Sequence, residues 1–113
     1  MIIIAFSDKT SKILPQLLCR GMKHTAPIGV YQNGLIMHQF IKPGKIKKIQ
    51  LNMRDIRILQ DNGWRFVYVT GDLSYQFNGH GVKTCVQLSK QALGIKKRYI
   101  QTPNALYKYL LRD

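Results

Sequence analysis

Glutamate is absent from this chain, and its only acids are five aspartates. Against them stand 18 Lys and Arg in 113 residues, for a formal charge of +13. With so little negative charge to offset it, the field of the chain draws nucleic acid or another polyanion through phosphate contacts, without sequence preference. No folded nucleic-acid motif accompanies the charge, so a solvated basic surface is an equal account of it. Long hydrophobic runs are also missing. No stretch approaches the roughly 20 apolar residues of a membrane span, and a transmembrane helix is not expected. Cysteine is scarce, and Cys19 and Cys85 alone could form at most one disulfide. "MIIIAFSDK" has no basic leader and no small-residue cleavage site, so it reads as a first strand, not a signal peptide. A cytoplasmic location is expected, and two reduced thiols with it. No Cys/His cluster has metal-ligand spacing, and no metal or cofactor is expected. Repeats, low-complexity segments and linkers are lacking too, so the length points to one domain.

What is present is well punctuated. "IIIAF" (residues 2–6) is a short β-rich run, and Ser7, Asp8, Thr10 and Ser11 then offer caps for a helix over "KILPQLLCRG", with Gly21 as its stop. "HTAPIGVYQNGLIMHQFI" is two β-rich runs around Asn33-Gly34, a strong hairpin signal, and Pro27 suggests a bulge or an edge in the first arm. "KPGK" is a second turn. "IKKIQL" predicts a third strand with one solvent face, its period disturbed by Lys47 and Lys48. "NMRDIRILQDNG" predicts a helix capped by Asn52 and closed by Gly63, and "WRFVYVT" alternates as a strand. Residues 71–83 read as an irregular loop. Thr84 then caps a helix with Cys85, Leu88 and Ala92 on one face, ending at Gly94. Thr102 and Pro103 open a terminal helix. The order predicts an α+β domain, an antiparallel sheet flanked by helices.

Cys85 stands at the start of its helix, where unpaired amides and the helix dipole favour a thiolate. A thiol hydrolase needs a base beside the nucleophile, a group that orients the base, and oxyanion donors. His24, at the mouth of the first hairpin strand, is the preferred base. His38, across the turn, orients it if register and pleat put both on one face. His80 lies in the glycine loop and is poorly held. The Cys85 amide and Asn78 are the candidate oxyanion donors. Each residue also has a structural account. A helix-start cysteine facing the core more often packs than reacts, and a hairpin histidine is usually satisfied by backbone or water.

"GMKHTAPIGVYQNGLIMHQF", followed some fifty residues on by "KTCVQLSKQALGI" and "TPNALYKYL", resembles the circularly permuted branch of the papain-like amidohydrolases. These are relatives of the cell-wall peptidases and of lecithin retinol acyltransferase. The chain also resembles small phage and bacterial proteins in which a Gly-x-x-His start (Gly21 to His24), a Thr-Cys-Val helix (Thr84 to Val86) and a Thr-Pro helix (Thr102, Pro103) recur. The likeness runs from "IIIAFS" to "YKYLL". It implies a half-barrel antiparallel sheet packed on the Cys85 helix, Cys85 as nucleophile and His24 as base, with His38 as the third polar residue and Gln39 as fallback. Adjacent strand residues point to opposite faces, so only one of the last two serves.

Two functions are therefore expected in competition. In the first, Cys85 attacks the carbonyl of an acyl or amide substrate, His24 moves the proton, and a thioester is hydrolysed or passed on. In the second, the same fold is a catalytically inactive binding or structural protein, a phage particle component or one associated with the virion. Its basic surface then contacts nucleic acid or an acidic protein partner.

Overall fold

A computed structural model describes residues 1–7, 24–32, 34–71 and 77–112. Among these residues five strands form one open antiparallel sheet: β1 (Ile2–Ser7), β2 (His24–Tyr31), β3 (Gly34–Lys42), β4 (Lys45–Leu51) and β5 (Arg65–Val69). Among the described residues three helices accompany them, α1 (Met53–Asp61), α2 (Cys85–Leu93) and α3 (Pro103–Leu111). The α+β class and the antiparallel sheet are as expected. The helix expected over "KILPQLLCRG", with Cys19, lies outside the described residues, as does Asn33 of the hairpin turn.

The sheet order is β4-β3-β2-β1-β5. β1 is inserted between β2 and β5, and every one of its residues is buried. Its composition follows from that position, because a strand covered on both faces has no solvent side to make polar. Ile2, Ile4 and Phe6 face a core closed by Val86 of α2, Ile100 and Leu106 of α3. Ile3 and Ala5 face the other way, into a core with Ala26, Ile28, Leu35, Met37 and Ile56 of α1. The molecule is thus layered, with α1 on one face of the sheet and α2 and α3 on the other. β5 shares its side chains between the two cores, Phe66 towards α1 and Val67 and Val69 towards α2 and α3.

Two details of the sheet explain irregularities in the sequence. β2 is an interior strand, yet its ladder to β3 begins only at Ile28 paired with Met37. Residues 24–27 pair with β1 alone, so Pro27 sits in a locally one-sided stretch that tolerates a residue with no N–H. There is no bulge at Pro27; the shift in register falls between Phe40 and Lys42. Among the described strands β4 lies at one edge and β5 at the other. Lys47 pairs with Gln39 and Lys48 with His38, on opposite faces, and both lysines are exposed. At an edge both faces reach water, which is why a strict two-residue period is not needed, and lysines there deter pairing with another chain.

The helix ends follow their local chemistry. Asn52 and Asp55 form a reciprocal capping box on α1, each side chain accepting from the other's backbone N–H at 2.9 Å. Thr84 accepts from the Gln87 N–H at 3.1 Å to cap α2, and Gly94 closes that helix with φ 72°, where any other residue is strained. Thr102 accepts from the Ala105 N–H at 3.0 Å, with Pro103 in the first turn of α3. The segment from Phe77 to Thr84 is neither strand nor helix.

Candidate functional site

α2 is set on the sheet by its buried face. Val86, Leu88, Ser89 and Ala92 are buried in the packing, and the Ser89 hydroxyl lies 3.1 Å from that of Thr25 on β2, an interior polar pair linking helix to strand. Cys85, first residue of α2, is half-buried and packs against the core of Ile4, Phe6 and Val86.

His24 does not share that face. Cross-strand partners in a pleated sheet project to the same side and successive residues to opposite sides. Thr25 pairs with Phe6 and projects towards α2, whereas His24 pairs with Ser7, in step with Ala5 and Ala26 on the α1 side. Its ring confirms the direction, standing edge to face with Trp64 at 5.9 Å, and Trp64 packs into the α1 core. The pleat thus turns His24 away from the face on which the Cys85 helix packs. The two residues lie at neighbouring elements but on opposite faces of the sheet.

His38 is on the α2 side with Lys48 as its cross-strand partner. It is 7% exposed, its ring stands edge to face with Phe77 at 4.9 Å, and its buried Nε2 has no hydrogen-bond partner among the described residues. Burial lowers its pKa below the usual 6.5 and the Lys48 ammonium adds to the effect. A neutral imidazole results. His38 and His24 thus fall on opposite faces, and the expected orienting contact between them has no pleat to support it. Gln39, paired with Lys47, falls on the α1 side.

The loop residues serve structure. The Asn78 side chain accepts from the His80 N–H at 2.9 Å, and Gln91 of α2 ties the loop down by accepting from Gly79 N at 2.7 Å and donating to His80 O at 3.2 Å. Gly79 sits against the Ile46 side chain of β4 at φ 79°, so the loop covers β3 and β4 where a larger residue would not fit. His80 itself is exposed. No group of three or more His, Cys, Asp or Glu among the described residues is arranged to hold a metal ion.

Charge is distributed more sharply than the sequence suggests. The acids among the described residues are Asp55 and Asp61, and both lie on α1. From Phe77 to Arg112 there is no acid, against Lys83, Lys90, the Lys96-Lys97-Arg98 run, Lys108 and Arg112. Arg65 joins that side, its Nη1 donating to the Tyr107 hydroxyl of α3 at 3.2 Å. Further cations lie elsewhere, Lys42, Lys45, Lys47 and Lys48 on β3 and β4 and Arg54 and Arg57 on α1; sequence reasoning read the net charge but missed the tyrosines set among the cations of the α2 and α3 side. The signal was Tyr99 directly after "KKR".

Among the described residues no helix is long and apolar enough to cross a membrane. No protein-family model, no curated protein and no solved structure matches the chain.

Proposed function

We propose that this chain is a basic binding protein on a catalytically inactive, permuted papain-like scaffold, and that its α2 and α3 side contacts the phosphate backbone of nucleic acid. The observation that carries this reading is the placement of the acids. Both described side-chain carboxylates lie on α1, so among the described residues the opposite side presents cations without an acid beside them, the pattern that gives salt-dependent phosphate binding. An antiparallel sheet with the Cys85 helix against it, reached after a strand that opens on His24, supports the scaffold. The pleat that turns His24 towards Trp64 speaks for a scaffold without the dyad.

Fluorescence anisotropy with a labelled DNA duplex across a salt series tests it. Affinity should fall steeply and log-linearly with salt, and Lys96→Glu with Arg98→Glu should flatten the slope by about two units. Cys85→Ala should leave binding unchanged. A flat salt response, or loss of binding in Cys85→Ala, overturns the proposal.

A cysteine hydrolase is the second reading, and one observation favours it: Cys85 is half-buried at the first position of α2, beside the helix amides. It requires iodoacetamide to alkylate Cys85 rapidly near neutral pH and much more slowly in His24→Ala. The scaffold reading expects His24→Ala to stay within about twofold of the parent rate.

A further inference from the structure

We propose that the turn joining α2 to α3 is a docking point for single-stranded nucleic acid, with a base stacked on Tyr99 and the flanking Lys96, Lys97 and Arg98 on its phosphates. This rests on the phosphate-binding reading above and narrows it to a strand form and a place.

The turn is built to hold its shape. Lys90 of α2 donates from Nζ to the carbonyls of Lys97 at 2.7 Å and Ile100 at 2.9 Å, while Gln101 donates to the Arg98 carbonyl at 2.9 Å. The Ile100 N–H closes the turn on Lys97 O at 3.3 Å, and the Ile100 side chain is sealed in the core at 1% exposure. With Ile100 fixed inward, the residue before it is displayed. Tyr99 is 70% exposed, the most exposed of the large hydrophobic side chains among the described residues.

A tyrosine held out in water by a fixed turn leaves its ring open to a stacking partner. Its neighbours say which kind. Lys96, Lys97 and Arg98 are all exposed, and the Lys97 ammonium lies 6.0 Å from the Tyr99 ring centre and 5.8 Å from that of Tyr109 on α3. Aromatic faces set among cations are the elements with which proteins hold single strands, the rings taking bases and the cations taking phosphates. In a duplex the base faces are already stacked on one another, and only the phosphates remain available to this turn. Stacking on Tyr99 therefore selects the unpaired strand.

The test compares an oligothymidylate of about ten nucleotides, near the site size of small single-strand binders, with an abasic strand of the same length and charge. The parent protein should bind the base-bearing strand about tenfold more tightly than the abasic one. Tyr99→Ala should abolish that difference and Tyr99→Phe should keep it. Equal affinity for both strands with a steep salt dependence overturns this proposal and leaves the phosphate-binding reading standing. A tenfold preference that survives Tyr99→Ala overturns the assignment to this turn. Salt-independent binding, or none, overturns both.

Discussion

At the scale of single residues, His38 shows what the fold does to a group whose sequence position says little. Its ring is enclosed beside Phe77, and burial first, then the charge of Lys48, lower its pKa from 6.5. In the unfolded chain the same imidazole takes up a proton as pH falls through about 6.5, while in the native protein it stays neutral to lower pH. The unfolded state then binds more protons. Stability is fully present above the unfolded value and is lost as pH falls from there towards the native one. Urea midpoints measured between pH 7.5 and 5 should fall more steeply for the parent protein than for His38→Gln, in which that proton is no longer available. Lys48→Met should give an intermediate slope. Parallel slopes for parent and His38→Gln would show that the ring titrates as it does in the unfolded chain. None of this was legible in "LIMHQF", where histidine could as well have faced water. A strand's facing is decided by its register, and one step exchanges His38 for Gln39 on a given side. The same single step decides His24. The sequence places it correctly at the mouth of β2, but its pairing with Ser7 sends it to the α1 side.

At the scale of elements, the caps were legible and the docking was not. Asn52, Thr84 and Thr102 act within three residues of themselves, so their signal is local and needs no knowledge of the fold. What fixes α2 on the sheet is 64 residues apart in sequence. Thr25 and Ser89 are both fully buried, and their hydroxyls satisfy one another at 3.1 Å. Removing either leaves the other in an apolar interior without its partner, at a cost of about 1–3 kcal/mol. Thr25→Val keeps the shape and removes the hydroxyl, and Ser89→Ala removes the hydroxyl with little change in volume. Each single variant should lose stability in urea unfolding. The double variant should lose less than the sum by about 1 kcal/mol, since it leaves no orphaned hydroxyl. Additive losses would mean that the two groups do not depend on each other, as when Ser89 bonds back to a carbonyl in its own helix. A polar pair of this kind leaves no mark in a hydrophobic pattern. Ser89 simply reads as one small residue among the apolar positions of α2.

For the molecule as a whole, composition announced the charge and topology decided where it lies. The insertion of β1 between β2 and β5 is a long-range choice that no local motif encodes, and it separates the α1 side, with Asp55 and Asp61, from the α2 and α3 side. The consequence for stability is measurable without any ligand. Charges in water feel one another over a screening length of about 10 Å at 0.1 M salt and about 3 Å at 1 M, and the radius of gyration of the chain is 13.1 Å. At low salt, then, much of the +13 charge acts on itself across the fold, and folding has to bring those like charges together. Raising the salt shortens their reach more than it affects the two buried cores. The thermal midpoint should therefore climb between about 0.02 and 0.5 M sodium chloride, and 1 kcal/mol relieved by screening moves it by about 4 °C, well within the resolution of a melt. Lys96→Glu with Arg98→Glu, which lowers the charge on the α2 and α3 side, should raise the low-salt midpoint and shrink the salt effect. A midpoint that falls with added salt would mean that attractive pairs outweigh repulsion, and the picture of a net-repulsive cationic surface would have to be abandoned.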